Sequence, residues 1–387
     1  MSNSILGITE KNCCGCGACY QSCPKKAITM NENDRGFLVP TVDENECVNC
    51  GKCVAVCPEK DTPDFYSVKN AYVAVAKDMP MIKVSTSGGI FGVLAEKVLS
   101  NSGIVYGCGW GDNLQAKHMR IEKESDLHLI QQSKYVQSNT EKTFVSVKKD
   151  LIADKTVLYS GTACQIGGLR KYLGKEYDKL ITLEVACHGA PSPGLFRKYI
   201  EFIESNNRKK VTNFRFRNKE KHSKGEHYKF CVTFEDGSQM YKLSNEDPYY
   251  GSFLGGKTLR ETCYNCKYKE KNRVADFMLS DYWGVEKEHK GFPSENGASA
   301  IFVCSGKAEK LLNSVKDKLT IDNSTVEKVI AHNHSLVSSA KIEEESKLKT
   351  INVDNNKLFQ SLKPPFNIKK RIKNMVPEKL KYFLKKI

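Results

Sequence analysis

The sequence lacks long hydrophobic runs and any sign of a secretory leader. No stretch of about 18 apolar residues occurs in it, which is the length that a membrane-spanning helix needs. The opening MSNSILGITEKN has no apolar segment behind a basic start and so does not resemble a signal peptide. We therefore expect a cytoplasmic protein, in which closely spaced cysteines bind metal rather than pair as disulfides.

Cysteine, by contrast, is abundant, at 16 of 387 residues. Two segments, CCGCGACYQSCP and CVNCGKCVAVCP, share the spacing C-x2-C-x2-C-x3-C-P. A repeat at a fixed period, here 34 residues, usually marks one structural unit that is used twice. The cysteines of the two runs are Cys13, Cys16, Cys19 and Cys23, and Cys47, Cys50, Cys53 and Cys57.

This spacing indicates two [4Fe-4S] clusters. Iron prefers deprotonated thiolate ligands, and the small residues between these cysteines let the backbone curl around a cubane and direct N–H groups at sulfur. Where two such runs occur together, the last cysteine of each run binds the other cluster. One cluster would then use Cys13, Cys16, Cys19 and Cys57, and the other would use Cys47, Cys50, Cys53 and Cys23.

Both runs resemble those of bacterial-type two-cluster ferredoxins, and the segments AITM and FLVP between them predict two short strands. A zinc ribbon or a disulfide knot explains the four-membered runs and their terminal prolines less well. Cys14 lies outside the repeated pattern, and we expect it to be packed or exposed rather than a ligand.

Beyond residue 68 the pattern changes to alternating strands and helices. Apolar strands such as AYVAVAKD, GIVYGCGW, TVLYSG and LITLEVA are separated by segments with helical spacing, among them GGIFGVLAEKVL, LHLIQQSKY and CQIGGLRKYL. Such alternation predicts an α/β core with a mainly parallel sheet. NFRFRN and KFCVTFEDGSQMYKL, which turns at Asp236-Gly237, predict an antiparallel insertion. The predicted fold class is therefore mixed α/β, preceded by a small ferredoxin-like domain.

Two glycine-containing segments in this core have the pattern of ligand-binding loops. STSGGIF puts Ser87, Gly88 and Gly89 just ahead of a helix, where exposed N–H groups can hold a phosphate, although an ordinary helix N-cap explains the same pattern. LYSGTACQIGG follows a strand and opens a helix, which is the place where α/β sheets bind nucleotides.

Four later cysteines form a candidate thiolate set. Cys263 and Cys266 make a C-x2-C pair, for which a ligand role is favoured, with iron–sulfur preferred to zinc because of the N-terminal motifs. Cys164 and Cys187 lie at the ends of predicted strands, and a buried small apolar side chain is the alternative role for each.

The motifs STSGGIFGVLAEKVL, SKYVQS, VLYSGTACQIGGLRKYL, ACHGAPSP, LRETCYNCKY and LSDYWG occur in this order between residues 70 and 305. In this combination the chain resembles the coenzyme F420 hydrogenase/dehydrogenase beta-subunit family, joined to an N-terminal two-cluster ferredoxin domain. We divide it into residues 1–68 (ferredoxin-type domain), 69–150 and 151–305 (two parts of a flavin-binding core), 306–350 (helical extension) and 351–387 (basic tail).

The resemblance implies FAD and a third [4Fe-4S] cluster, and it assigns residues to both. The third cluster would be bound by Cys164, Cys187, Cys263 and Cys266. His188 and Asp281 are implied as catalytic proton donors, although a histidine beside a cluster ligand more often just hydrogen-bonds sulfur.

The same resemblance places the flavin at two segments. Ser87, Gly88 and Gly89 would contribute backbone, with Lys134 as a cation for phosphate and Tyr135 as a stacking ring. A surface lysine beside a core tyrosine is the alternative reading of the last two residues.

These features predict an anaerobic-type iron–sulfur flavoprotein oxidoreductase. Electrons from ferredoxin or a partner redox subunit would enter through the N-terminal clusters and reach FAD, which acts on a small organic substrate or a deazaflavin carrier, or the flow is reversed. Bacterial relatives with such an N-terminal module often accompany surface-polysaccharide genes, which suggests that metabolism as a setting. The alternative is a non-catalytic electron-transfer subunit of a larger dehydrogenase or hydrogenase complex.

The chain is strongly basic, with 60 Lys+Arg against 45 Asp+Glu, or +15. Nine of these bases lie between Lys363 and Ile387 beside one acid, so the excess is partly a property of the tail. Apolar residues among them, with a break near Pro377, predict two short amphipathic helices. Peripheral contact with the anionic inner membrane face and packing on the protein itself are the two alternatives, and a nucleic-acid partner is not expected.

Overall fold

The computed structural model describes residues 4–219 and 228–365. Its strands are β1 (Ile28–Glu32), β2 (Leu38–Val42), β3 (Asn70–Ala76), β4 (Ile104–Trp110), β5 (Ala116–Ile121), β6 (Val157–Thr162), β7 (Leu180–Val185), β8 (Val211–Asn218), β9 (Lys229–Phe234), β10 (Gln239–Leu243), β11 (Phe277–Asp281), β12 (Ser299–Val303) and β13 (Leu319–Ser324). Its helices are α1 (Ala18–Ser22), α2 (Lys52–Ala55), α3 (Met79–Lys83), α4 (Ile90–Ser100), α5 (Leu127–Ile130), α6 (Thr143–Ile152), α7 (Ala163–Leu173), α8 (Pro193–Asn207), α9 (Pro248–Leu254), α10 (Val285–Glu288), α11 (Gly306–Asn313), α12 (Val326–His332) and α13 (Asn355–Ser361).

The sequence repeat of the first sixty residues is also a structural repeat. Strands β1 and β2 pair antiparallel, with Ile28 opposite Val42, as the two short apolar segments predict. Each cysteine run passes through a left-handed glycine into a short helix, at Gly17 (φ 74°) before α1 and at Gly51 (φ 75°) before α2. A residue with a Cβ would be strained at such φ values, which explains why both runs carry glycine there.

The body is built on a sheet of strand order β13-β3-β12-β11-β7-β6-β4-β5. Strands β4, β6, β7 and β11 are parallel to one another, and every other pairing in this sheet is antiparallel. The sheet is therefore mixed, and the prediction of a mainly parallel sheet holds only for its centre. The link from β4 to β5, residues 111–115, is too short for the crossover that a parallel pair needs, so this pair forms a hairpin.

Helices cover both faces of the parallel centre. Val105 and Leu158, neighbours on β4 and β6, pack with α4, whereas the next pair, Tyr106 and Tyr159, packs with α6 and α7. This alternation is the period of two that a strand imposes on its side chains. The parallel strands are buried on both sides, and their carboxyl ends meet at one edge of the sheet, where ligand sites of α/β folds usually form.

The predicted antiparallel insertion is present as a three-stranded sheet of order β10-β9-β8. It packs with α8, α9 and α13 around a core that is largely aromatic. The buried rings of this core are Phe196, Tyr199, Phe214, Phe216, Phe230, Phe234, Tyr249, Tyr250, Phe253 and Phe359.

Two segments differ from their sequence-based predictions. The segment LHLIQQSKY, predicted as a helix, is helical only in α5, because the chain turns extended at Gln131 (ψ 165°) and the Lys134 ammonium bonds the carbonyls of Gln131 and Gln132. Residues 306–350 contain α11 and α12 and also strand β13, at the edge of the large sheet.

The helices predicted for the basic tail lie outside the described residues from position 366 onward. No helix in the described ranges is long and apolar enough to cross a membrane. The domain boundaries themselves stay a prediction.

A buried arginine attaches the N-terminal module to the body. Arg260 is 1% exposed, and its guanidinium donates to the carbonyl oxygen of Cys13 (2.5 Å), the carbonyl oxygen of Leu38 (2.9 Å) and Oε1 of Gln137 (2.7 Å). Arginine suits this position because its donors are held in a rigid planar fork and it keeps its charge when buried.

A second arginine, Arg35, crosses the same boundary in the opposite direction. It pairs with Glu10 of its own module and with Glu261 of the body, both at 2.8 Å, and donates to the carbonyl oxygen of Leu259 at 2.7 Å. The module is therefore joined to the body by a buried polar network rather than by a flexible linker alone.

We expect Arg260→Leu to lower the free energy of unfolding by about 3 kcal/mol, because buried acceptors that lose their donor cost about 1–3 kcal/mol each. Arg197→Leu is a matched control, since Arg197 also joins body to module but through an exposed pair with Glu32, worth at most about 1 kcal/mol. Urea unfolding of both variants without oxygen, followed by circular dichroism, tests this. Equal losses would contradict a special role for the buried arginine.

Candidate functional site

The structure brings together the four cysteines predicted for the first cluster. Cys13, Cys16, Cys19 and Cys57 line one cavity within the N-terminal module. The N–H of Gly15 donates to Cys13 Sγ at 3.3 Å, as expected of a backbone that curls around sulfur. The last cysteine of the second run thus lies with the first three of the first run.

The complementary set lies nearer the surface. Cys23, Cys47, Cys50 and Cys53 line a second cavity. Cys50 is exposed, and Val48 close to it is 58% exposed, whereas Cys53 is as buried as Cys13 and Cys57 of the first set. The two sets therefore differ in access to a partner in solution.

The later cysteines also come together, from three separate parts of the chain. Cys164 opens α7 directly after β6, and Cys187 follows β7, so both lie at the carboxyl edge of the parallel strands. An antiparallel bridge between Pro191 and Leu259 brings the C-x2-C pair to the same edge. We call Cys164, Cys187, Cys263 and Cys266 the third thiol set.

The thiols of this set influence one another's ionisation. Burial raises the pKa of Cys187, Cys263 and Cys266, the last to about 12, and negative charge on Cys164 raises each further. Peptide N–H groups and the Lys269 ammonium partly offset this by lowering these pKa values. Thiols crowded in this way ionise together only beside compensating positive charge, which a metal centre supplies.

A [4Fe-4S] cluster and a single metal ion make different demands on this set. Within residues 4–219 and 228–365, no three or more His, Cys, Asp or Glu side chains converge on a single metal ion. A cubane binds four thiolates at four separate irons, so its ligands stand further apart than those of one ion. Buried, mutually close thiols with nearby N–H donors fit the larger group.

Cys14, which lies outside the repeat, is packed between two sets. It is 6% exposed and belongs to the same buried cluster as Cys16 of the first set, against which Cys164 of the third set packs. Sequence spacing alone carried no sign of this contact, because it joins segments 150 residues apart.

The segment STSGGIF does begin a helix, with Gly89 (φ 88°) directly before α4. Two of its polar groups are already bonded within the protein: Ser87 Oγ donates to the carbonyl oxygen of Ala298 (2.8 Å), and the Gly88 N–H donates to Ser299 Oγ (3.0 Å). The loop is thereby fixed against β12.

Lys134 has a clear role inside the protein. Its ammonium donates to the carbonyl oxygens of Cys108 (2.9 Å), Gln131 (2.5 Å) and Gln132 (3.3 Å). Burial lowers the pKa of Lys134 to about 8. Since three N–H groups meet three carbonyls, a phosphate would have to displace at least one of these bonds.

Tyr135 and Asp281 are joined by a residue that the sequence analysis did not select. Arg217 lies 5.8 Å from the centroid of the Tyr135 ring, and its Nη1 is 2.5 Å from Oδ2 of Asp281. The guanidinium also stacks on Tyr228, at 4.0 Å. The two predicted residues thus share one buried cation.

A second basic residue, Lys219, directly follows the end of β8. Lys219 donates to the carbonyl oxygens of Ser87 (2.6 Å) and Ile82 (2.9 Å), and burial lowers its pKa to about 8. The sequence pattern that could have indicated Arg217 and Lys219 is FRFRNK. Its basic residues alternate, with a period of two, with the rings of Phe214 and Phe216 that enter the core.

His188 connects this region to the third thiol set. Its ring meets Phe253 edge-on at 5.6 Å, and Phe253 stacks on Tyr135 at 5.2 Å. Burial lowers the pKa of His188, and its Nε2 is buried with no hydrogen-bond partner among the described residues. One imidazole and one phenyl ring therefore separate Cys187 from the predicted flavin residues.

A cavity of about 860 Å³ lies elsewhere, between α8, β10 and α13. Its lining includes Lys229, Lys242 and Asp247 but none of the predicted site residues.

Two family models match the chain. Residues 154–329 match the model that describes the carboxyl-terminal region of the coenzyme F420 hydrogenase/dehydrogenase beta subunit, and residues 12–60 match that of the 4Fe-4S dicluster domain. No curated protein matches the sequence. A solved chain of the F420-reducing [NiFe] hydrogenase complex from Methanosarcina barkeri, studied as a xenon derivative, is similar with a TM-score of 0.43 and 16% identity, over 70% of this chain and 91% of that one.

A dicluster domain joined to an α/β core defines an iron–sulfur electron-transfer protein. Residues 154–329 are related to the carboxyl-terminal region of the beta subunits of coenzyme F420 hydrogenases and dehydrogenases, a family of oxidoreductases. The resemblance recognised in the sequence is confirmed for that region and for the N-terminal dicluster domain.

The Arg217–Asp281 pair leads to a prediction for this region. We expect Asp281→Asn to lower the free energy of unfolding by about 3 kcal/mol or more, because it leaves a buried guanidinium without its counter-charge. The double variant Arg217→Met/Asp281→Asn should lose less, since neither charge then remains. Urea unfolding of the three proteins tests this, with Glu327→Gln, from an exposed ion pair, as the control. A double variant that is less stable than Asp281→Asn would contradict the role of Asp281 as the counter-charge of Arg217.

Proposed function

We propose that this chain is an iron–sulfur flavoprotein oxidoreductase in which three [4Fe-4S] clusters connect an external one-electron partner to FAD. The observation that carries the proposal is the position of the third thiol set. It packs beside the first set at Cys14 and Cys16 and approaches the predicted flavin residues through His188 and Phe253. A continuous series of redox sites needs neighbouring members that lie close together.

The cluster ligands follow from the three sets. The first and second clusters use the cysteines that line the two cavities of the N-terminal module, and the third cluster uses the third thiol set. Because the second set contains Cys50, the exposed cysteine of the two runs, ferredoxin or a partner redox subunit docks there.

The flavin site is proposed where loop 85–89, Tyr135 and the basic end of β8 meet. FAD, when bound there, exchanges single electrons with clusters and a pair of electrons with a small organic substrate or deazaflavin carrier. Tyr135 supplies a ring and Lys219 a cation beside Ser87. His188 is the proposed proton donor, and Asp281 holds Arg217 in place. The surface-polysaccharide setting stays a prediction.

A second candidate function is a non-catalytic relay that serves a partner enzyme. It is favoured by the bonds within the predicted flavin site, since Lys134, Ser87 and Gly88 all have partners inside the protein. Iron, acid-labile sulfide and released flavin, measured on one anaerobic preparation, separate the two functions. Roughly twelve irons and one FAD per chain support the oxidoreductase, whereas clusters without flavin support the relay.

We expect Cys263→Ser to remove about four irons per chain and leave about eight, because it deletes a ligand of the third cluster only. Cys304→Ser is the matched control, since Cys304 is also buried but packs in the apolar core away from the three sets. Iron analysis and the visible spectrum provide the result. A Cys263→Ser protein with full iron content would refute the third cluster.

A further inference from the structure

The contact between the first and third thiol sets contains two polar groups to which the proposed function gives no task. One is the Cys14 thiol, and the other is the hydroxyl of Tyr268. Tyr268 is 3% exposed, and its Oη is buried with no hydrogen-bond partner among the described residues. A buried hydroxyl without a partner costs free energy, so a group that accepts its hydrogen bond is expected at this place.

Packing puts Tyr268 beside the thiols of both sets. Its side chain belongs to the same buried cluster as Cys14 and Cys16, against which Cys164 and Cys266 also pack. The phenol therefore lies in the same packed cluster as thiols of both sets.

Two adjacent glycines of α7 make this approach possible. A Cβ on Gly167 would lie 2.3 Å from Tyr268 Oη, and a Cβ on Gly168 would lie 2.8 Å from Cys16 Sγ. Both positions follow Cys164 by three and four residues and so share its face of the helix. The segment CQIGG thus brings a ligand of the third set, a ligand of the first set and the phenol onto one helix surface.

The backbone of Cys14 is held in place independently of its side chain. Its carbonyl oxygen accepts from Gln137 Nε2 at 2.7 Å, and Gln137 is in turn bonded by Arg260. The thiol is packed in one buried cluster with Cys16, against which Cys164 also packs. Its position is therefore set by the same network that docks the module.

We propose that Cys14 and Tyr268 are positioning residues that donate hydrogen bonds to the cluster thiolates where the first and third clusters meet, Cys14 to Cys16 and Tyr268 to Cys164. A hydrogen bond to a ligand sulfur stabilises the more negative, reduced state and raises the reduction potential of that cluster. This inference rests on the proposed function, since it needs a third cluster. It assigns to Cys14 a tuning role in place of ligation.

The test is a redox titration of the full-length holoprotein monitored by electron paramagnetic resonance. We expect Tyr268→Phe to shift the potential of the third cluster to more negative values with unchanged iron content. Tyr106→Phe is the matched control, because Tyr106 lies in the same buried cluster but donates to Asp150. Cys14→Ala should move the reduction potential of the first cluster in the same direction. Cys14→Ser keeps a hydrogen-bond donor, so its first-cluster potential should return most of the way to the wild-type value.

The outcomes separate this inference from the proposed function. Three clusters whose potentials are the same in wild type, Tyr268→Phe and Cys14→Ala would overturn the inference and leave the proposed function standing. Loss of about four irons in Cys14→Ala would overturn it as well, because Cys14 would then be a ligand. A wild-type protein with only about eight irons would remove the third cluster and with it both proposals.

Discussion

Everything proposed for this chain depends on one buried guanidinium. The side chain of Arg260 holds the carbonyl oxygen of Cys13, while its own carbonyl oxygen accepts from the N–H of Cys263 at 2.9 Å. One residue thus fixes the backbone of a first-set cysteine and that of a third-set cysteine in the same frame. Its other donors go to the carbonyl oxygen of Leu38 and the side-chain amide of Gln137, so the same guanidinium also ties β2 and the segment before α6 into this frame.

Iron binding and folding depend on each other in this arrangement. Apolar burial brings the thiols together, and the same burial raises their pKa values, so the metal-free fold holds groups that resist ionisation. Clusters would supply the missing positive charge and convert binding free energy into stability. The α7 glycines add a steric constraint, since a side chain at Gly168 would press on Cys16. The region is thus adapted to sulfur in both charge and shape.

The sequence was sufficient where chemistry is encoded by spacing. The two cysteine runs, their left-handed glycines and the alternation of strands and helices are local patterns, and the N-terminal sites and most elements followed from them. The contacts of Arg260, the Arg217–Asp281 pair and the position of Cys14 join segments far apart in the chain, and no local pattern encodes them. The segment LHLIQQSKY was predicted as one helix, but the helix ends at Ile130. The contact of Lys134 with three carbonyls outweighs the helical spacing of the residues that follow.

The bonds of Lys134 also bear on the proposed flavin site. An ammonium with a lowered pKa, enclosed by three carbonyls, is built to hold a backbone turn, and its cost of burial is met without any ligand. Lys219 bonds loop 85–89 directly, whereas the charge of Arg217, two residues before it, is already balanced by Asp281. If an anionic cofactor binds here, Lys219 rather than Lys134 is therefore the residue whose charge it meets, and the electrostatic centre of the site lies at the end of β8.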